Sequence, residues 1–135
     1  MTPERLVHHE LCFGCGRTNL FGLLMDVEAI SEGQVRGRGF VKQDHQGPER
    51  GTAHEGIVLA ALSEAMSLAC GPDARARQVE LEVQGSVPVG AFLDVEAEAR
   101  TGSEGRCETS ASASVEGTPV ATARGVYEAR QRSGD

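Results

Sequence analysis

From Ile57 to Cys70 the chain reads Ile-Val-Leu-Ala-Ala-Leu-Ser-Glu-Ala-Met-Ser-Leu-Ala-Cys, and only Ser63, Glu64 and Ser67 interrupt the apolar run. The pattern predicts a helix over about 55–70, stopped by Gly71-Pro72. A helix without a wet face has to be wrapped by the rest of the molecule. The polar side chains left on it then need partners. Elsewhere the period is two. Gly22–Ile30 and Gln34–Val41 read as strands joined by the turn Ser31-Glu-Gly33. Gln78–Val87, Phe92–Arg100, Arg106–Val115 and Thr118–Ala129 read as four more, the last two joined at Glu116-Gly117. Residues 1–21 are irregular, 42–53 form a polar loop, and the tail 130–135 is expected to be disordered.

The order β-β-α-β-β-β-β describes one α+β domain over residues 1–135, a curved antiparallel sheet wrapped around one long central helix. Small residues such as Ala111, Ala113 and Gly125 suit a sheet that bends closely over a helix. Such a sheet leaves edges, which pairing with a second copy would cover.

Charge removes some classes of partner. Thirteen basic against twenty acidic residues, a net charge of -7, argue against nucleic acid, whose binding rests on neutralising phosphates. With no tryptophan and one tyrosine there is little for bases to stack on. No stretch approaches the ~20 apolar residues of a membrane span. Met1–Arg5 lacks the layout of a signal peptide, so the expected address is cytoplasmic. There the four cysteines are expected as thiols or metal ligands rather than disulfides, with Cys70 and Cys107 in the core. Lys42, the only lysine, is read as a compositional habit of the source genome.

Several short motifs occur in a fixed order. They are Cys12-Phe-Gly-Cys-Gly16 with Asn19 and Gly22-Leu23; Gln46-Gly47; His54-Glu-Gly56 leading into Ile57–Met66; Val87-Pro-Val-Gly90 with Leu93, Val95, Glu96 and Ala97; and Ala121-Thr-Ala-Arg-Gly125. Together they span 12 to about 127. In this order the chain resembles the hot-dog fold thioesterases, in the branch of the 4-hydroxybenzoyl-CoA and phenylacetate-pathway thioesterases. The resemblance implies a homodimer, or a dimer of dimers forming a homotetramer, with acyl-CoA sites at the interface and no cofactor. It implies that backbone N–H groups at His54, Glu55 and Gly56 polarise the thioester carbonyl at the helix N-terminus. An acid nine positions after the histidine, contributed by the partner's antiparallel helix, would act as nucleophile or base. Nine residues of helix rise about 13.5 Å, too far for one helix to supply both parts. A loop glutamine, here Gln46, would help hold the carbonyl.

This chain departs from that pattern. Ser63 stands where the acid belongs, and Glu64 lies one residue and about 100° further round the helix. Glu55 replaces the first glycine; it keeps the N–H and adds a carboxylate. Gln46 lies eight residues before His54, further than the pattern expects. Glu64 or Glu55 is therefore the candidate base, with Ser67 by the site as a water-positioning group and Asn19 in the N-terminal turn. The structural alternatives are a plain helix cap for His54, an interface or surface ion pair for Glu64, hydroxyls bonded back to helix carbonyls for Ser63 and Ser67, and a favourable first-turn charge for Glu55. Cys12-x-x-Cys15 with His8 or His9 could ligate zinc, but a closed site needs four ligands and there is no second pair at ribbon spacing. The resemblance makes it a packed turn, and no metal is expected.

The leading expectation is an acyl-CoA thioesterase. The alternative is a non-catalytic acyl-CoA binder, because of Ser63. A hot-dog hydratase would need a paired Asp and His, and no Asp lies at that spacing from His54. Ala60, Ala61 and Ala65 leave room along the helix without naming the acyl group.

Overall fold

The computed structural model describes residues 5–129. Seven strands form one antiparallel sheet: β1 (Arg5–Leu6), β2 (Asp26–Ser31), β3 (Gln34–Phe40), β4 (Ala74–Val83), β5 (Phe92–Thr101), β6 (Arg106–Val115) and β7 (Thr118–Ala129). Their order across the sheet is β1-β2-β3-β5-β6-β7-β4. The helix α1 spans Glu55–Cys70. Short 3-10 turns occupy Gln43–His45 and Ser103–Gly105.

Register explains how the sheet holds the helix. One row of partners runs Val35, Ala97, Ala111, Ala123 and Leu81 across five strands, and the next runs Gly37, Val95, Ala113, Ala121 and Val83. Most of these side chains are small, so the sheet can close tightly on α1, whose Ala61, Leu62, Ala65 and Met66 are fully buried. Gly37 is required in this row, since a Cβ there would lie 2.8 Å from Val27 Cγ2 and 2.9 Å from the Asp26 carbonyl oxygen.

Three expectations are corrected. Residues 1–21 are not wholly irregular, because Arg5–Leu6 pairs with β2. The strand expected from Gly22 begins only at Asp26. Before it, Leu23 and Met25 donate their N–H groups to Phe13 and Gly14 carbonyls in the N-terminal segment, and Leu24 has a φ of 49°. The strand expected over Gln78–Val87 runs instead over Ala74–Val83. It ends because Gln84 and Gly85 both turn their N–H groups to the Val120 carbonyl, at 2.8 and 3.0 Å. The tail 130–135 lies outside the described residues.

The cysteines also divide differently. Cys70, at the end of α1, and Cys107, near the start of β6, form a disulfide with a Cα–Cα distance of 5.9 Å. Neither is the free core thiol expected. The helix end docks on the sheet at a separation that a disulfide spans. Cys12 and Cys15 are free.

Candidate functional site

The helix opens on His54, whose extended backbone and side chain make it the N-cap. Its Nδ1 accepts the Gly56 N–H at 2.8 Å, satisfying one of the donors that a helix start leaves unpaired. His54, Glu55 and Gly56 are all exposed. The Glu55 carboxylate lies 4.0 Å from His54 Nδ1. An exposed turn, a positive helix end and a carboxylate therefore meet at one point of the surface.

Further along the helix the polar residues are spoken for. Ser63 Oγ is 2.5 Å from the hydroxyl of Tyr127, a residue buried at the end of β7. Glu64 is only 6 % exposed. Its carboxylate meets His8 Nδ1 at 2.8 Å and the Cys12 thiol at 3.1 Å. Burial opposes the Glu64 charge, but hydrogen bonds from His8 and Cys12 outweigh it and hold the carboxyl below the usual carboxylate range. Ser67 Oγ donates to the Ala74 carbonyl at 2.9 Å and meets His8 Nε2 at 2.9 Å. Glu64 and Ser67 thus face the N-terminal segment, while Glu55 faces outward.

That segment is built to cover the helix. Gly16 N–H closes a turn on the Cys12 carbonyl at 2.8 Å, and Cys15 is fully buried. A Cβ on Gly14 would stand 2.6 Å from the Glu64 carboxyl carbon, so only glycine lets the turn lie against it. Burial, opposed in part by a bond from the His8 N–H and reinforced by the Glu64 charge, pushes the Cys15 thiol up to about 12. Among the described residues, the cluster whose side chains could hold a metal is His8, Cys12, Cys15 and Glu64. His9 is outside it; its Nδ1 accepts the Leu11 N–H at 3.2 Å.

The remaining candidates serve their own loops. Asn19 donates to the Leu11 carbonyl at 3.1 Å and accepts from Phe21 N–H at 3.2 Å. Both ends of the Gln46 amide are engaged, with the Gln43 carbonyl at 3.0 Å and the Gly51 N–H at 2.7 Å. Two residues passed over as sites in the sequence have definite tasks. Lys42 Nζ donates to the carbonyls of Leu20 and Gly22 at 2.6 and 2.7 Å. The buried His45 accepts from Lys42 N–H at 3.0 Å and meets the Phe21 carbonyl at 2.8 Å through Nε2. Together they pin the 20–22 loop beside the loop that leads into α1. A lone lysine and a histidine shortly before a Gly-Pro turn were the only signals.

A depression of about 1000 Å³ crosses β3, β5, β6, β7 and β4 and is lined by residues including Glu80, Glu96, Ser110 and Arg124. None of His54, Glu55 and Gly56 lines it. No helix among the described residues is long and apolar enough to cross a membrane.

No family model matches the chain, and neither does any curated protein. Solved structures do. A protein from Thermus thermophilus is 24% identical, with a TM-score of 0.71 over 78% of this chain and 92% of its own. The phenylacetic acid degradation-related protein of Ralstonia eutropha JMP134 is 18% identical, with a TM-score of 0.71 over 78% and 85%. A hypothetical thioesterase protein of Streptococcus pneumoniae TIGR4, solved with coenzyme A, is 17% identical, with a TM-score of 0.71 over 81% and 91%. The chain has the hot-dog fold, and proteins of the thioesterase superfamily are among its structural neighbours.

Proposed function

We propose that this protein is a homodimeric acyl-CoA thioesterase, with its thioester site at the N-terminus of α1. The observation that carries the reading is the exposed His54-Glu55-Gly56 turn at the mouth of the buried helix. The coenzyme A complex of the Streptococcus pneumoniae neighbour supports the ligand class. The carbonyl oxygen takes the Gly56 N–H once the exposed His54 ring swings away, and the positive helix end stabilises the oxyanion. Glu55 accepts a proton from the attacking water. The tetrahedral intermediate then collapses, the C–S bond breaks, and that proton passes to the departing CoA thiolate. Water is consumed, and a carboxylate, CoA thiol and one proton leave. Glu64 has no part in this step, because its carboxylate is bound to His8 and Cys12. Pairing with a second copy covers the exposed Leu20, Phe21 and Phe92 and walls the acyl chain from water. The proposed address is the cytoplasm.

Thiol release from short, medium, long and aromatic acyl-CoAs tests the reading. Turnover of at least one class is expected; none on any class would sink it. A second reading, a non-catalytic acyl-CoA binder, is favoured by one observation: Ser63, at the usual acid's position, is held by Tyr127. Binding without turnover in the parent, and turnover in Ser63→Asp, would establish it.

A further inference from the structure

We propose that His8 Nδ1, Cys12 Sγ, Cys15 Sγ and a Glu64 carboxylate oxygen form a closed, four-coordinate zinc site that fastens the N-terminal segment to the middle of α1. This site is separate from the proposed thioester site. Glu64 lies nine residues along the helix from Glu55, about 13.5 Å of rise.

The spacing is that of a ligand shell. The four ligand atoms all lie within 4.8 Å of one another. The Cys12 and Cys15 sulfurs are 3.6 and 3.5 Å from His8 Nδ1, and Cys12 Sγ is 3.1 Å from Glu64 Oε1. Tetrahedral zinc, with bonds of about 2.3 Å to sulfur and about 2.0 Å to nitrogen or oxygen, separates its ligands by about 3.3–3.8 Å. The hydrogen-bonded pairs stand at 2.8–3.6 Å and the widest spacing is within 4.8 Å, so shifts of about 1 Å or less bring the four atoms onto this shell.

Two hydrogen bonds around the cluster suit the metal-bound forms of His8 and Cys15. Ser67 Oγ gives its own proton to the Ala74 carbonyl, so it can only accept from His8 Nε2. That places a ring N–H on Nε2, and Nδ1, which donates to Glu64 in the metal-free chain, gives up its proton on metal binding and turns its lone pair to the ion. An oxygen holding the far N–H of a ligating imidazole is the usual arrangement at zinc. The His8 backbone N–H points at Cys15 Sγ at 3.2 Å, a bond that strengthens when the sulfur is a thiolate. Gly14 leaves the carboxylate the space a Cβ would fill. Two sulfurs, one imidazole and one carboxylate suit zinc among common divalent ions. Binding one Zn²⁺ releases the two thiol protons and the His8 Nδ1 proton to solvent, and the four protein ligands leave no open position for catalysis.

The test uses the full chain, freed of metal with a chelator, handled without oxygen and titrated with Co²⁺. One Co²⁺ per chain is expected, with the thiolate charge-transfer absorption and intense tetrahedral bands, all displaced by Zn²⁺. The Cys12→Ser/Cys15→Ser variant should lose the charge-transfer absorption. Ser67→Ala should keep it and bind about 10- to 100-fold more weakly. Absence of binding by the wild-type chain, or bound Co²⁺ without a thiolate band, would overturn the site even where the serine variant fails to fold. Because the readout is spectroscopic, it is independent of any acyl-CoA turnover.

Discussion

His8 Nδ1 lies 2.8 Å from a carboxylate oxygen of Glu64, joining the N-terminal segment to the middle of the central helix across 56 residues of sequence. The contact gives an otherwise apolar helix a charged group that is 6 % exposed. Removing His8 leaves the buried Glu64 carboxylate with the Cys12 thiol alone to offset its charge, and removing Glu64 leaves His8 with Ser67 but without its counter-charge. His8→Ala and Glu64→Ala should each lose about 3 kcal/mol of stability in urea unfolding, and the double variant much less than the sum. Additive losses would mean that the two groups do not act as a pair.

Tyr127 is the only tyrosine, so its ionisation can be read alone by absorbance. Burial pushes its hydroxyl above the usual 10.0, with the Glu64 charge adding to the shift and the Ser63 bond opposing it. A pKa raised in the folded state means that the folded chain holds the proton longer than the unfolded chain. The associated stability is complete below about pH 10 and is lost as pH rises through the higher folded value. Unfolding free energy should fall with pH above about 10, and Tyr127→Phe should remove this component of the slope. An unchanged slope in the variant would contradict the assignment.

The Cys70–Cys107 disulfide joins residues 37 apart. Closing a loop of that length in the unfolded chain contributes about 4 kcal/mol by loop entropy. Cys70→Ser/Cys107→Ser should lower the urea midpoint accordingly. A thiol count on the unfolded, unreduced wild-type chain should find Cys12 and Cys15 only.

Gly16 sits where a Cβ would meet the Glu10 carbonyl oxygen and the Cys12 backbone. Backbone atoms cannot swing aside as a side chain can. Gly16→Ala should cost about 2 kcal/mol and raise amide exchange over residues 8–25 while leaving β5–β7 protected. Uniform loss of protection would show that the segment does not open on its own.

The helix bounds were legible because Gly71-Pro72 ends an apolar run whose polar start is His54-Glu55. β6 and β7 were legible because their alternation runs to turns at both ends. β4 was misplaced by four residues, since Val79, Leu81 and Val83 continue the same phase into Gly85 and Val87. Only the pairing of Gln84 and Gly85 with Val120 reveals the break. The Glu64 environment was the hardest to read. Its partners arrive from 52 and 56 residues away, and the spacing of paired cysteines has no place for a helix carboxylate as the fourth zinc ligand. An acidic residue on a helix with no wet face, together with His8 and Cys12-x-x-Cys15, was the signal that could have joined them.

The outward-facing Glu55 and the enclosed Glu64 lead to opposite expectations for catalysis. They are separated by kcat/KM for acyl-CoA hydrolysis in the wild-type chain, Glu55→Gln and Glu64→Gln, each corrected for the fraction folded. Glu55→Gln should fall by about 10²- to 10⁴-fold, as for loss of a general base, and Glu64→Gln should change by less than about tenfold. Turnover that survives Glu55→Gln and vanishes in Glu64→Gln would contradict the assignment of Glu55 as the base.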